Sequence, residues 1–429
     1  MRAVHKLAVV LGLVLALAGL APATARAQAK PVTITFWDAE PADLVQLRME
    51  IIKGFEAKYP HIKVNYLNIP YAEARQKLVT AVATKTLPDT MFFQATWLGE
   101  FAAMGELLDL GPYADKWAGA KNLLPQVFSV GAAYKNTLYY LPSEFQIDAL
   151  YYRADWLKEA GIKTPPSNWA EFLDAAKKMT NPAKNRYGFS MRGAGGSERY
   201  YIMWMLMANG NVFFEKDGSL GLHKHGGIDG LKNYLELCTV HQVCTPNSVN
   251  NSFLENTAEF SSGAAGMYIH NQYSVARQIK AFGGTMEAAR EKFGTAPIPR
   301  GPRGRYIAAN FTNGYVMFKQ SAHPAETWEL LKWMLSPEND SKFSQTTGAL
   351  PANKSVYEEA WFKGNPFLGV FKQQLDDPAG SFNFPIQMAK WNSLIAGPLK
   401  EEFQKGLLKQ QSPEATGEAI AKAISDTLK

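Results

Sequence analysis

Cysteine is nearly absent from this 429-residue chain, with only Cys238 and Cys244 present. So few thiols exclude a disulfide-stapled scaffold and a thiolate metal cage. The two lie six positions apart, so they could close a small surface disulfide in an oxidising compartment or remain two free thiols. Dense runs of lysine and arginine are also missing, which argues against nucleic acid as a partner. Of 45 basic and 39 acidic residues, three basic ones fall within the first 27 positions, so the remainder carries an excess of only about +3. Catalytic signatures are lacking as well: no G-x-S-x-G elbow, Walker-type phosphate loop or H-E-x-x-H occurs. His223-Lys224-His225 has no third ligand nearby and reads as a solvated turn. Asp376-Asp377 and Glu401-Glu402 are adjacent carboxylates, which point apart and read as surface charge rather than a glycosidase pair. No enzyme is expected, and nothing calls for a metal or any other cofactor.

What is present begins with an apolar stretch, Leu7 to Ala21, too short for an ordinary bilayer span. Arg2, His5 and Lys6 precede it, and Ala25-Arg26-Ala27 forms a small-residue cleavage pattern. Residues 1–27 are therefore predicted to be a secretory signal peptide cleaved near Ala27, rather than a membrane anchor. No cysteine follows that could take a lipid, so a soluble periplasmic or extracellular protein is expected. Roughly 400 residues remain, too many for one ordinary core and enough for two lobes.

Those residues open as strand, helix, strand, helix, strand. Val32 to Trp37 alternates as a strand, Leu44, Leu47, Ile51 and Phe55 mark a helix, and Ile62 to Tyr66 is the next strand. A helix over Tyr71 to Thr84 and a buried strand at Met91-Phe92-Phe93 follow. This is the pattern of an α/β lobe with a largely parallel sheet, whose ligands bind beyond the carboxyl ends of the strands. The segment LYYLPSEFQIDALYYRADWLKEAGIKTPPSNWAEF, residues 138–172, reads as a crossover. One strand ends or reaches a sheet edge at Pro142, polar residues among Ser143 to Asp148 intervene, and a second apolar strand starts at Ala149. Asn168, with Glu171 three residues on, predicts a capped helix start. Helix Glu198 to Ala208 follows a Gly-rich turn, Gly263 to Ile269 turns into a strand, and Gly314 to Phe318 is a strand returning to the first unit.

This layout resembles that of family 1 extracellular solute-binding proteins of ATP-driven sugar importers, the maltose-binding-protein-like group. FEAKYPHIKV and WLGEFAAMGELLDL carry the same likeness, and so do the order and spacing of motifs along nearly the whole chain after residue 27. The resemblance implies an α/β two-lobe periplasmic-binding-protein type II fold with three interlobe crossings, near Pro142, Ala309 and Pro351. Lobe 1 would comprise residues 28–143 and 310–350, and lobe 2 residues 144–309 and 351–429.

It implies a monomeric receptor without catalysis that takes a di- or oligosaccharide in the interlobe cleft and delivers it to a transmembrane permease. Carried across residue by residue, the ligand-binding set would be Trp37, Asp38, Gln94, Thr96, Trp97, Asn313 and Gly314 from the first lobe. The second lobe would give Glu144, Gln146, Tyr200, Asn271, Tyr273 and Trp391. Such a mixture suits a sugar, whose hydroxyls need planar donors and acceptors and whose ring faces prefer aromatic surface. Asp38 could instead cap the following helix, and Trp391 could be core. A rival on the same fold is a receptor for a glycerol-phosphate compound. It would need clustered cations, for which Arg192, Arg199, Arg303 and Arg305 are scattered candidates. An exported polysaccharide-degrading enzyme is disfavoured by the missing acid/base pair.

Overall fold

The computed structural model describes residues 30–40, 44–377 and 379–428. The expected signal peptide, residues 1–27, lies outside them. Among the described residues the strands are β1 (Val32–Asp38), β2 (Ile62–Asn68), β3 (Thr90–Gln94), β4 (Leu141–Arg153), β5 (Tyr187–Phe189), β6 (Ala265–Asn271), β7 (Phe293–Ala296), β8 (Ala308–Met317), β9 (Leu350–Pro351) and β10 (Ser381–Asn383). They join in the order β2-β1-β3-β8-β4-β6-β5, with β10 on β8 and both β7 and β9 on β4.

β1 runs parallel to β2 and β3, as strands connected through helices must. The helices are those the apolar spacing predicts. Val45–Lys58 buries Leu47, Ile51 and Phe55, and Tyr71–Thr84 has the predicted bounds. The expectation of a largely parallel sheet needs correction, because β8 is antiparallel to both β3 and β4. It returns to this sheet after a long excursion and from the opposite direction, so no crossover helix is required.

Pro142 does not end a strand. Residues 138–140 are not strand, and β4 starts at Leu141 and continues for 13 residues. Proline is tolerated there because it is the second residue, beside a register shift between Pro142 and Glu144. Residues 141–147 of β4 pair with β8 and β9, whereas residues 148–153 pair with β6 and β7. One strand thus carries the chain from one set of partners to the other. The polar residues within it alternate with apolar ones: Glu144, Gln146 and Asp148 share one face, Phe145, Ile147 and Ala149 the other.

Asn168 caps its helix as expected, its side chain accepting from the Glu171 amide at 3.0 Å while the Glu171 carboxylate accepts from Ser167 N at 2.8 Å. Cys238 and Cys244 are joined by a disulfide. It ties the end of helix Gly227–Thr239 to residue 244, which bridges to Phe189 of β5.

Helix Pro337–Thr347 leads through Gly348, at φ +82°, into β9. Beneath this connection Asp340 is buried and accepts from Asn353 N and Nδ2, both at 2.8 Å. Burial pushes its carboxyl up to about 7, against those two bonds. A carboxyl raised in the folded state holds its proton more tightly folded than unfolded. Its stabilisation is therefore full below about pH 4 and lost as pH rises through about 7. The difference in unfolding free energy between the wild type and Asp340→Asn should shrink by about 3–4 kcal/mol from pH 4 to pH 8. Parallel pH profiles for the two proteins, in urea melts, would show that Asp340 titrates normally.

Candidate ligand-binding cleft

Where β4 exchanges partners, register brings polar side chains together. Glu144 stands opposite Asn313 and Gln146 opposite Phe311 on β8, while Asp148 stands opposite Asn271 at the end of β6. Cross-strand partners share a face, so these residues form one wall. Gly314 permits the approach of β8 to β4, since a Cβ there would fall 2.0 Å from the Leu141 carbonyl oxygen. In front of the wall is a cavity of about 960 Å³, the size of a small-molecule site.

Glu144 organises the wall from behind. It is fully buried, and its Oε1 accepts from Gln146 Nε2 at 2.9 Å and from Asn313 Nδ2 at 2.7 Å. Its Oε2 accepts from Tyr273 Oη at 2.5 Å. Burial pushes the carboxyl up, and the three hydrogen bonds oppose this. The network continues outward: Gln146 Oε1 accepts from Asn271 Nδ2 at 2.8 Å, and Asn271 Oδ1 from the Tyr273 amide at 3.1 Å.

Two residues along β4, buried Asp148 takes a two-pronged ion pair from Arg199 at 3.1 and 3.2 Å. Burial alone would lower the Arg199 pKa, but the Asp148 carboxylate raises it above its ordinary value. The guanidinium also lies 4.9 Å from the Phe311 ring. His270 lines the same cavity, bonded through Nδ1 to Ser274 Oγ at 2.8 Å. Burial, reinforced by the charges of Arg192, Arg199 and Arg277, holds its imidazole well below the usual pKa.

Of the residues expected to bind ligand, Gln94, Thr96, Gln146, Asn271, Tyr273 and Asn313 line this cavity. Glu144 and Gly314 lie behind it. Asp38 is fully buried away from the cleft, accepting from Arg48 Nε and Tyr66 Oη, both at 3.0 Å. Arg48 in turn donates to Tyr315 Oη at 2.7 Å, so Asp38 belongs to a core ion pair and does not cap a helix. Trp37, adjacent on β1 and therefore on the other face, meets Lys77 Nζ at 5.3 Å. Trp97 is buried edge-on against Phe93, with centroids 5.3 Å apart.

Two of the aromatic residues expected to bind ligand, Tyr200 and Trp391, are enclosed. Tyr200 is 1 % exposed, and Trp391 is 0 % exposed, packed against Phe213 and Phe384. Helix periodicity is the reason: Asn392, Ile395 and Ala396 form the cavity-facing stripe of helix Trp391–Ala396, and Trp391 turns inward. The aromatic lining comes instead from Tyr71, Phe92, Phe253, Tyr273 and Phe311. Phe311 was legible from its alternation with Asn313, whereas nothing local marks Phe253. Arg192 and Arg199, scattered in sequence, converge on the cavity. Arg303 instead donates to the carbonyls of Ala208 and His225, and Arg305 is exposed. Among the acidic pairs, Asp376 pairs with Lys372 and Glu402 with Lys405, and neither lines the cavity. Among the described residues no group of three or more His, Cys, Asp or Glu side chains could hold a metal, and no helix is long and apolar enough to cross a membrane.

Comparison with known proteins agrees with this architecture. Residues 50–369 match the family model described as bacterial extracellular solute-binding protein. A binding protein of Brucella abortus is 29% identical over 377 residues, covering 87% of this chain and 88% of its own. A lactose-binding protein of Rhizobium radiobacter and a mannitol-binding protein of Pseudomonas aeruginosa are each 26% identical, over 51% and 55% of this chain and 51% and 54% of theirs. Among solved structures, the GacH receptor of Streptomyces glaucescens, known unliganded and with acarbose, superposes with a TM-score of 0.80 at 22% identity, covering 93% of this chain and 98% of its own. Maltose-bound MalE3 of T. maritima gives 0.78 at 22%, covering 91% and 98%. The match over most of the chain and the shared two-lobe α/β fold make this protein a member of the bacterial extracellular solute-binding proteins.

Proposed function

We propose that the protein is the receptor of an ATP-driven importer, capturing a carbohydrate or sugar alcohol in this cleft and presenting it to a membrane permease. The hydrogen-bond inventory of the wall supports the reading. Tyr273 commits its proton to Glu144, so its oxygen is left only as an acceptor. Gln146 and Asn271 have each used one N–H and one lone pair on neighbours, leaving one of each. A wall of single donors and single acceptors suits hydroxyl groups, which do both. Tyr273, Phe253 and Phe311 add apolar surface for ring or chain carbons. Relatives named for lactose and mannitol span a disaccharide and a hexitol, so both classes belong in the test.

The lobes of this reading are residues 28–143 with 310–350, and residues 144–309 with 351–429. They would close about the crossings near Pro142, Ala309 and Pro351, with the protein acting as a secreted monomer in the periplasm or outside the cell. A ligand favours closure only by touching both lobes, and Gln94 and Asn313 on one side face Asn271 and Tyr273 on the other.

Titration calorimetry against lactose, maltose, mannitol and erythritol tests the assignment. Asn271→Ala and Gln146→Ala should each weaken the best ligand about ten-fold or more, by removing one partner of a buried hydrogen-bond pair. Asp38→Asn should lower the melting temperature and leave affinity within about three-fold, since Asp38 is in the core rather than the cleft. Equal affinity in all three variants would remove the cleft from consideration.

Closure has a separate readout. Small-angle scattering should show the radius of gyration falling on saturation with the ligand that calorimetry selects. Superimposable profiles would mean that this receptor binds without closing.

A further inference from the structure

The charges lining the cleft do not balance. Arg192, Arg199, Arg277, Lys280 and Lys400 face it, against the carboxylates of Glu40 and Glu198. Of these five cations only Arg199 has an ion-pair partner among the described residues, Asp148. Burial raises the Glu198 carboxyl, and the charge of Arg192 opposes this most, followed by backbone amides at the start of its own helix; Glu198 thus offsets part of the Arg192 charge at a distance, without forming an ion pair.

Arg192 is the most confined of the unpaired cations. Its Nε donates to the Gly195 carbonyl at 2.7 Å. Gly196, at φ +87°, leaves the guanidinium its space, because a Cβ there would lie 2.2 Å from Nη2. The side chain is half-buried and held, so its remaining donors are positioned before any ligand arrives. Arg277 and Lys280 are exposed, three residues apart on helix Tyr273–Ala281, and Lys400 is half-exposed on helix Pro398–Leu407. Neighbouring His270 is held below its usual pKa first by burial and then by three of these arginines, so it adds no positive charge of its own. Closing the cleft over a neutral sugar would enclose a guanidinium that has no carboxylate in ion-pair contact, which is less favourable than closure over a ligand that supplies one.

We propose that the ligand is acidic: a sugar or sugar alcohol bearing one carboxylate or phosphate ester, seated on Arg192 and drawn in past Arg277, Lys280 and Lys400. Arginine suits the role because its planar fork matches either oxyanion with two parallel hydrogen bonds. The exposed cations contribute mainly to the rate of capture and its salt dependence. The inference rests on the cleft being the ligand site.

The test is calorimetry on matched probes: D-galactose, D-galacturonate and D-galactose 6-phosphate, then D-mannitol, D-mannonate and D-mannitol 1-phosphate, with lactose as a neutral disaccharide. An acidic member should bind about ten-fold or more tighter than its neutral parent, and the preference should weaken as salt rises. Whether the carboxylates or the phosphates respond identifies the source of the anion. Arg192→Gln should bring the ratio to about two- or three-fold, and Arg192→Lys should retain part of it. Unchanged melting temperatures would show that both variants are folded.

Neutral probes binding as tightly as acidic ones would overturn the proposal. If that neutral binding is lost in Asn271→Ala, the cleft assignment stands without it. Acidic binding that survives both Arg192→Gln and Asn271→Ala would place the site elsewhere and overturn both. Failure of all four acidic probes, with lactose bound, would overturn the acidic assignment alone.

Discussion

A carboxylate removed from water holds the cleft together. Glu144 is buried at the point where β4 changes partners, and a charge there is tolerable only while its donors are in place. Those donors come from three elements: Gln146 on β4, Asn313 on β8 and Tyr273 on helix Tyr273–Ala281. Satisfying Glu144 therefore fixes three cavity-lining side chains at once. The same demand, four residues further along the strand, fixes Arg199 through Asp148. The polar wall is rigid because its buried acids require it to be.

Strand geometry makes this arrangement compatible with a core. Glu144, Gln146 and Asp148 occupy one face of β4, and Phe145, Ile147 and Ala149 occupy the other, where they are fully buried. A shift of one residue in register would exchange the faces, burying three polar groups without partners and exposing the apolar set. The pairing of Glu144 with Asn313 and Asp148 with Asn271 is thus specified from both sides. Gly314 is part of that specification, since no side chain fits between β8 and the Leu141 carbonyl.

Helices with clear apolar spacing were legible in the sequence. The bounds of Tyr71–Thr84 and the Asn168 cap were readable because propensity, spacing and capping chemistry agree there. The segment from Leu138 to Tyr152 reads as two strands in the sequence, because Pro142 and a run of polar residues hide a period of two, whereas the structure has one strand over Leu141–Arg153. In β4 a polar side chain marks a wall rather than an interruption. The aromatic residues were harder, since a ring's neighbours in sequence do not say which stripe of its helix meets the cavity. Trp391 and Asn392 differ by one position and face opposite ways. Convergence of Arg192 on Arg277 and Lys400 depends on tertiary placement alone.

The wall divides its chemistry according to what its groups have already committed. Near Glu144 the protein has used donors to satisfy its own acid, so Tyr273 is left with an acceptor and the amides with one group of each kind. Only a ligand that donates as well as accepts can complete that region, which points to hydroxyls. At Arg192 the commitment is reversed. The guanidinium has no acceptor capacity; its Nε is committed to the Gly195 carbonyl and it also bears on the Tyr200 hydroxyl, and its remaining N–H groups are open to electron-rich oxygen from outside. Asp148 gives its direct ion pair to Arg199, and Arg192 acts on it only at longer range. A single molecule that satisfies both regions must carry hydroxyls along one part and an anion along another. Neither requirement follows from the fold, which the family shares. Both follow from which hydrogen bonds this chain makes with itself.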